Sequence, residues 1–215
     1  MSLKEDINFS LWCDFIERDF LETRFKEIIK KNIIQGATSN PAIFESSITS
    51  SVAYKQQLDM LQANNAKTIY EELALTDIKR AAALLTDLHK KDADDGFISI
   101  EVDPLLCDDA AGTIEEGVRL YSSINVDNVM IKIPATEAGY IAMRELTSKG
   151  INVNATLIFS SEQAIKCTQA LDEGIKDSNK DIKAVVSVFV SRFDRLTDND
   201  FKLKGLETSK LGIIN

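Results

Sequence analysis

Residues 129–139 read VMIKIPATEAG, and this stretch decides the fold predicted for the chain. Its first five residues alternate, with three β-branched side chains on one face and Lys132 on the opposite face. Alternation of this kind over a short run predicts a β-strand. A strand covered on both sides normally consists of a continuous apolar run, so a lysine in its middle indicates a polar site. Pro134 follows the end of the strand.

Short β-like runs alternate with longer helical stretches on both sides of this segment. Strands that alternate with helices predict parallel βαβ units. The connection from residue 38 to residue 97 is long for a single crossover, so it is expected to contain more than one helix. The predicted strands lie at residues 10–15, 33–38, 97–103, 129–133, 152–158 and 184–190.

Six β/α units in this order fit either a (β/α)8 TIM barrel or an open doubly wound sheet. No G-x-G-x-x-G or Walker sequence follows the first strand, which disfavours a dinucleotide-binding sheet. The predicted fold class is therefore α/β, a (β/α)8 TIM barrel that forms one domain over residues 1–215.

This barrel is expected to be incomplete at its C-terminal end. A complete barrel has eight strands and typically about 250 residues, whereas only 25 residues follow residue 190. Residues 211–215 (LGIIN) resemble the start of a seventh strand, so we expect about six β/α units, with the last two missing. The open edge near 184–190 is expected to be covered by another chain, as in a homo-oligomer, to be disordered, or to promote aggregation. The chain itself is then expected to be inactive.

Two predicted helices carry the capping-box pattern at their starts, in which a side chain and a backbone N–H satisfy each other. These are Thr68 with Glu71 and Ser160 with Gln163. Residues 67–91 also place leucine and isoleucine at a helical period, which predicts one long helix there.

The bulk composition excludes several classes of partner. A formal net charge of −9 disfavours nucleic acid, which requires a basic surface. No stretch approaches the roughly 18 apolar residues of a membrane span, and the start of the chain has no signal-peptide pattern. The three cysteines lack C-x-x-C spacing and are interpreted as free thiols in a reducing compartment. We therefore expect a cytoplasmic protein.

Polar side chains recur at the ends of four predicted strands. The period-two pattern directs one face of each strand toward the barrel interior, and active sites of barrels lie at the C-terminal strand ends. An antiparallel sheet with a solvated face is the alternative, but the helices between the strands disfavour it. The inward-facing residues are predicted to be Asp14, Glu101, Lys132, Asn154 and Thr156.

Lys132 has two interpretations at such a site. It can form an ion pair with Glu101 or Asp14, or it can attack a carbonyl as a neutral amine and form a Schiff base. The surrounding carboxylates, amides and hydroxyls supply the proton carriers and hydroxyl anchors that a Schiff-base enzyme needs. The single His89 lies in the charged run LHKKDADD and is expected to be solvated, with no catalytic role.

Five segments, in order along the chain, resemble the signature blocks of the transaldolases. The Lys-x-Pro block followed about twenty residues later by Asn-x-Thr is the most specific feature. The five segments are GATSNPAIF (36–44), ISIEVDP (98–104), VMIKIPATEAG (129–139), INVNATLIFS (151–160) and SVFVSRFDR (187–195).

The resemblance implies a role for each matching residue. Lys132 corresponds to the Schiff-base lysine and Asp14 to the acid/base that handles the hydroxyl proton at the bond that breaks. Glu101 and Thr156 correspond to the pair that positions a water molecule. The remaining matches bind substrate: Asn40 and Asn154 hold the dihydroxyacetone hydroxyls, and Ser187 and Arg192 reach the phosphate.

The resemblance also implies the reaction. A dihydroxyacetone unit moves from sedoheptulose 7-phosphate to glyceraldehyde 3-phosphate in the pentose phosphate pathway, with sugar phosphates as substrates and neither cofactor nor metal. Two alternatives stay open. One is a fructose-6-phosphate aldolase-like lyase that uses the same lysine, and the other is a catalytically silent scaffold.

Overall fold

The computed structural model describes residues 3–205 of the chain, so the predicted seventh strand at 211–215 lies outside the described residues. Six parallel strands form one curled sheet in the order β1 to β6, which confirms the predicted α/β class with an incomplete β/α barrel. The strands are β1 (Trp12–Cys13), β2 (Gly36–Thr38), β3 (Ile98–Glu101), β4 (Val129–Pro134), β5 (Val153–Ile158) and β6 (Ala184–Val188).

Helices connect every pair of consecutive strands, and three of them lie between β2 and β3, as the long connection predicted. No helix within residues 3–205 is both long enough and apolar enough to cross a bilayer. The helices are α1 (Leu3–Ile7), α2 (Arg18–Glu22), α3 (Arg24–Lys30), α4 (Pro41–Ser50), α5 (Lys55–Leu61), α6 (Ala66–Lys91), α7 (Ala110–Ile124), α8 (Glu137–Ser148), α9 (Ser161–Asp177) and α10 (Ser191–Leu203).

The core lies between the outer face of the sheet and the helices. Val129, Ile131 and Ile133 of β4 are fully buried there, as the alternation in the decisive stretch predicted. Burying a side chain of this size contributes roughly 1.5–3 kcal/mol. The same alternation turns Lys132 toward the interior of the curled sheet, where the polar side chains collect.

A buried polar cluster fastens α2 to α6. The Tyr54 hydroxyl donates to Asp77 Oδ2 at 2.7 Å and accepts a hydrogen bond from the Arg18 backbone N–H at 3.1 Å. Arg18 Nε also donates to Asp77 Oδ1 at 2.9 Å. Burial raises the pKa of the Asp77 carboxyl, and its hydrogen bonds to Tyr54 and Arg18 oppose that shift.

The two predicted helix starts have different outcomes. Ser160 caps α9 by accepting from the Gln163 N–H at 3.1 Å, as predicted, although the Gln163 side chain accepts from Phe159 rather than from Ser160. The prediction for Thr68 is wrong, because α6 begins earlier and Asn65 is its cap, accepting from the Thr68 N–H at 2.9 Å.

Strand β5 departs from regular alternation at its C-terminal end. Strict alternation would place Leu157 on the same outer face as Val153, but Leu157 has a φ of +57° and is 38% exposed. The pairing register with β6 shifts between Ala155 and Ile158, and Ile158 occupies the buried position instead. An irregularity of this type re-aims side chains next to functional sites, and here it turns Leu157 toward the cavity described below.

Candidate active site

Lys132 and Glu101 lie side by side because their strands are in register. The Cα atoms of Glu101 in β3 and Lys132 in β4 are paired across the sheet. Lys132 Nζ lies 2.7 Å from Glu101 Oε1, and Lys132 is only 8% exposed. The ion pair anticipated from the sequence therefore forms, and it places a buried amine next to a carboxylate that can take its proton.

Ser39, directly after β2, contacts both members of this pair. Its hydroxyl donates to Glu101 Oε2 at 2.5 Å, and its backbone carbonyl accepts from Lys132 Nζ at 3.0 Å. The residue is 1% exposed. Sequence reasoning missed Ser39 because it lies beyond the last strand residue, Thr38, where the period-two argument no longer applies.

A line of hydrogen bonds crosses the interior from β6 to β2. Ser187 Oγ donates to Asn154 Oδ1 at 2.8 Å, and Asn154 Nδ2 donates to Ser99 Oγ at 3.2 Å. Ser99 Oγ then donates to Thr38 Oγ1 at 2.9 Å. Both groups of the Asn154 amide are thus oriented by neighbours. Ser99 and Thr38 were not among the predicted site residues, although Ser99 has the same strand parity as Glu101.

Asp14 lies just past the short strand β1, which ends at Cys13 rather than at residue 15. Burial raises the pKa of the Asp14 carboxyl, and the positive charges of Lys132 and Arg192 partly oppose this effect. A carboxylate with a raised pKa is a stronger base at neutral pH than an ordinary aspartate.

Three of the residues predicted to bind substrate lie in different parts of the fold. Asn40 caps α4 by accepting from the Ala42 N–H at 3.0 Å, which leaves its amide nitrogen as the group offered to a ligand. Arg192 lies in the first turn of α10 with its guanidinium carbon 4.8 Å from the centre of the Phe189 ring. Ser187 lies within β6, and its hydroxyl belongs to the interior network.

All eight predicted site residues line two cavities on the interior face of the sheet. One, of about 730 Å³, contains Asp14, Asn154 and Ser187. The other, of about 500 Å³, contains Glu101 and Arg192 together with Leu157, Cys107 and Phe189. Both include Asn40, Lys132 and Thr156, so Lys132 borders both cavities.

His89 lies away from this site, at the opposite ends of the strands. The expectation that it is solvated is wrong, because its ring is half-buried against Phe97 with ring centres 4.8 Å apart. Its Nδ1 is 2.8 Å from the carbonyl oxygen of Asp95. The packing of α6 against β3 accounts for this burial, which the charged local sequence does not indicate.

Parallel β/α units with a buried lysine–glutamate pair and a nearby aspartate on the interior face of the sheet define a class: β/α-barrel proteins with a buried ionisable site. Residues 11–215 match the family model described as Transaldolase/Fructose-6-phosphate aldolase. The chain belongs to this family.

Two relatives named "Transaldolase" give the extent of the similarity. The protein from Campylobacter jejuni subsp. jejuni serotype O:23/36 (strain 81-176) is 48% identical over 219 residues, which cover 97% of this chain and 66% of that protein. The protein from Helicobacter pylori (strain Shi470) is 50% identical over 207 residues, covering 96% and 63% respectively. The chain thus spans slightly less than two thirds of the length of these relatives.

Proposed function

We propose that this chain carries the Schiff-base site of a transaldolase, which moves a dihydroxyacetone unit from sedoheptulose 7-phosphate to glyceraldehyde 3-phosphate, giving erythrose 4-phosphate and fructose 6-phosphate. The observation that supports this most directly is the contact of 2.7 Å between the buried Lys132 amine and Glu101. The family match and the names of the relatives support the same reaction.

The first half of the proposed reaction attaches the donor. Lys132 Nζ gives a proton to Glu101 and then attacks the ketone carbon of the donor sugar. The resulting carbinolamine takes a proton back and loses water, leaving an iminium ion. Thr156 lies in the same cavity and, with Glu101, would hold that water molecule.

The second half breaks a carbon–carbon bond. The Asp14 carboxylate takes the proton of the C4 hydroxyl, the C3–C4 bond breaks, and the electron pair moves into the iminium. The enamine stays on Lys132 until an aldehyde acceptor arrives, and the steps then run in reverse. Asn40 and Asn154 donate to the donor hydroxyls, and Arg192 binds the phosphate as a charge-assisted donor.

Borohydride trapping tests this assignment. Incubation with fructose 6-phosphate and borohydride, followed by peptide mass mapping, is expected to place a reduced adduct on Lys132. The adduct is expected to disappear in Lys132→Ala and to persist in Lys55→Ala, a matched change at an exposed lysine. An adduct on another lysine in Lys132→Ala would rule out the assignment.

The lyase alternative uses the same adduct, and the family model covers both activities by name. The two are separated by product analysis with and without glyceraldehyde 3-phosphate. A transaldolase releases little free dihydroxyacetone in the absence of an acceptor, whereas a lyase releases it continuously. An adduct that forms but never turns over would indicate a chain that retains the site without the complete reaction.

A homo-oligomer and a cytoplasmic location belong to the same proposal. Large apolar side chains are exposed beside both outermost strands, namely Phe9, Leu11 and Phe15 near β1 and Val188 and Val190 near β6. A second copy that covered them would remove this area from water. The three cysteines are free thiols, which suits a reducing compartment. Light scattering of the purified chain tests the oligomer.

A further inference from the structure

We propose that Ser39 is a positioning residue that sets the direction of proton transfer between Lys132 and Glu101. This inference rests on the proposed Schiff-base function of Lys132. Three contacts close a ring: Lys132 Nζ to Glu101 Oε1 at 2.7 Å, the Ser39 hydroxyl to Glu101 Oε2 at 2.5 Å, and Lys132 Nζ to the Ser39 carbonyl at 3.0 Å.

The backbone of Ser39 is fixed from both sides. Its N–H donates to the carbonyl of Ser99 in β3 at 3.1 Å. The next residue, Asn40, caps α4 through its side chain, so the chain direction is set by a helix start as well as by the sheet. A side chain held in this way keeps its hydroxyl aimed at the carboxylate with little loss of further conformational freedom.

The hydroxyl distinguishes the two oxygens of Glu101. It has a single proton to donate, and it donates this proton to Oε2. The other oxygen, Oε1, is left facing the amine and is the acceptor when Nζ gives up a proton. The neutral amine keeps one N–H on the Ser39 carbonyl, which restricts its rotation about the Cε–Nζ bond.

Removal of the hydroxyl changes this arrangement. In Ser39→Ala, Oε2 loses the hydroxyl that donates to it and becomes free to accept from the Lys132 ammonium, which already contacts Oε1. A carboxylate that contacts the ammonium through both oxygens holds the amine in its charged, unreactive form. Because hydrogen bonds to charged groups are among the stronger ones in proteins, we expect Lys132 to react about tenfold more slowly.

A double-mutant cycle tests the proposal without requiring turnover. The rate of reductive methylation of Lys132 by formaldehyde and cyanoborohydride is measured by peptide mass mapping, with the exposed Lys55 as the internal reference. The four proteins are the unmodified chain, Ser39→Ala, Glu101→Gln and the double variant. Ser39→Thr, which keeps the hydroxyl, is expected to restore the rate, and Ser122→Ala on the exposed face of α7 is the matched control.

Lys132 is expected to react more slowly in Ser39→Ala than in the unmodified chain. This slowing is expected to be absent when Glu101 is already glutamine, since the serine acts through that carboxylate. An equal loss in both backgrounds, or a rate unchanged by Ser39→Ala, overturns the proposal. Thermal melting of each variant distinguishes a change in Lys132 reactivity from a loss of folding. If Ser39→Ala does not fold, Ser39→Cys replaces it in the cycle. Borohydride trapping is scored separately: absence of an adduct in the unmodified chain refutes the proposed function, while the methylation cycle still decides the role of Ser39.

Discussion

The ammonium group of Lys132 lies 2.7 Å from the Glu101 carboxylate, and their side chains are only 9% and 17% exposed. The pair therefore has two roles. Each charge offsets the cost of burying the other, and the pair holds in contact the two groups between which a proton would move in the proposed imine formation. The two interpretations of Lys132, an ion pair or a nucleophile, are thus compatible in one geometry.

Breaking this pair on one side is expected to destabilise the fold. Lys132→Met leaves the buried Glu101 carboxylate uncompensated, which costs about 3 kcal/mol. The double variant Lys132→Met/Glu101→Gln removes both charges and is expected to recover most of that loss. Urea unfolding followed by circular dichroism measures both values, and a double variant no more stable than Lys132→Met would contradict the argument.

Asp14→Asn is expected to abolish turnover without preventing imine formation. The imine can still form on Lys132, so trapping survives, whereas turnover is lost because the hydroxyl proton has no acceptor. Burial raises the pKa of Asp14 above its ordinary value of 3.8. Protonation of Asp14 therefore contributes to the free energy of unfolding. This contribution is fully present below the ordinary pKa of 3.8 and is lost as the pH rises through the folded-state pKa.

The asparagine variant does not titrate at this position. Its stability relative to the unmodified chain is therefore expected to improve as the pH is raised from about 3 to about 7. Thermal melts at the two pH values provide the measurement. A relative stability that falls over this interval would show that the pKa of Asp14 is lowered instead.

Arg192→Ala is expected to weaken the binding of sugar phosphates far more than the binding of their unphosphorylated analogues, because a charge-assisted contact to phosphate is lost. It also removes one of the charges that lower the pKa of Asp14, so the acid limb of the rate profile should move to higher pH. Arg144→Ala, on the surface between α8 and α9, is the matched control. Equal losses on both substrate types would exclude Arg192 as a phosphate ligand.

Tyr54→Phe is expected to lower stability by about 1–3 kcal/mol without affecting Lys132 labelling. The change deletes the hydroxyl that joins Asp77 to the Arg18 backbone and leaves buried groups unsatisfied. Tyr121→Phe is the control, and its effect is expected to stay within about 0.5 kcal/mol, as for changes away from buried networks. Indistinguishable unfolding midpoints for the two variants would contradict the prediction.

The site was predicted best where strand pairing alone decides the contact. Glu101 and Lys132 are paired on adjacent strands, and alternation in each strand directs both side chains to the interior face. The prediction was weaker wherever a loop or an irregularity intervenes. Ser39 follows the last residue of β2, and Leu157 adopts a positive φ, so neither side chain obeys a period of two.

The sequence by itself determined the order of the strands and helices, the outward burial of residues such as Ile131 and the inward direction of Lys132. These follow from local periodicity, which needs only a few neighbouring residues to act. Tertiary structure alone decided which hydroxyl meets which carboxylate, as with Ser39 and Glu101, which are 62 residues apart. Hydrogen bonds are short and directional, so the curvature of the sheet and the exit angle of each loop select partners that no local pattern encodes.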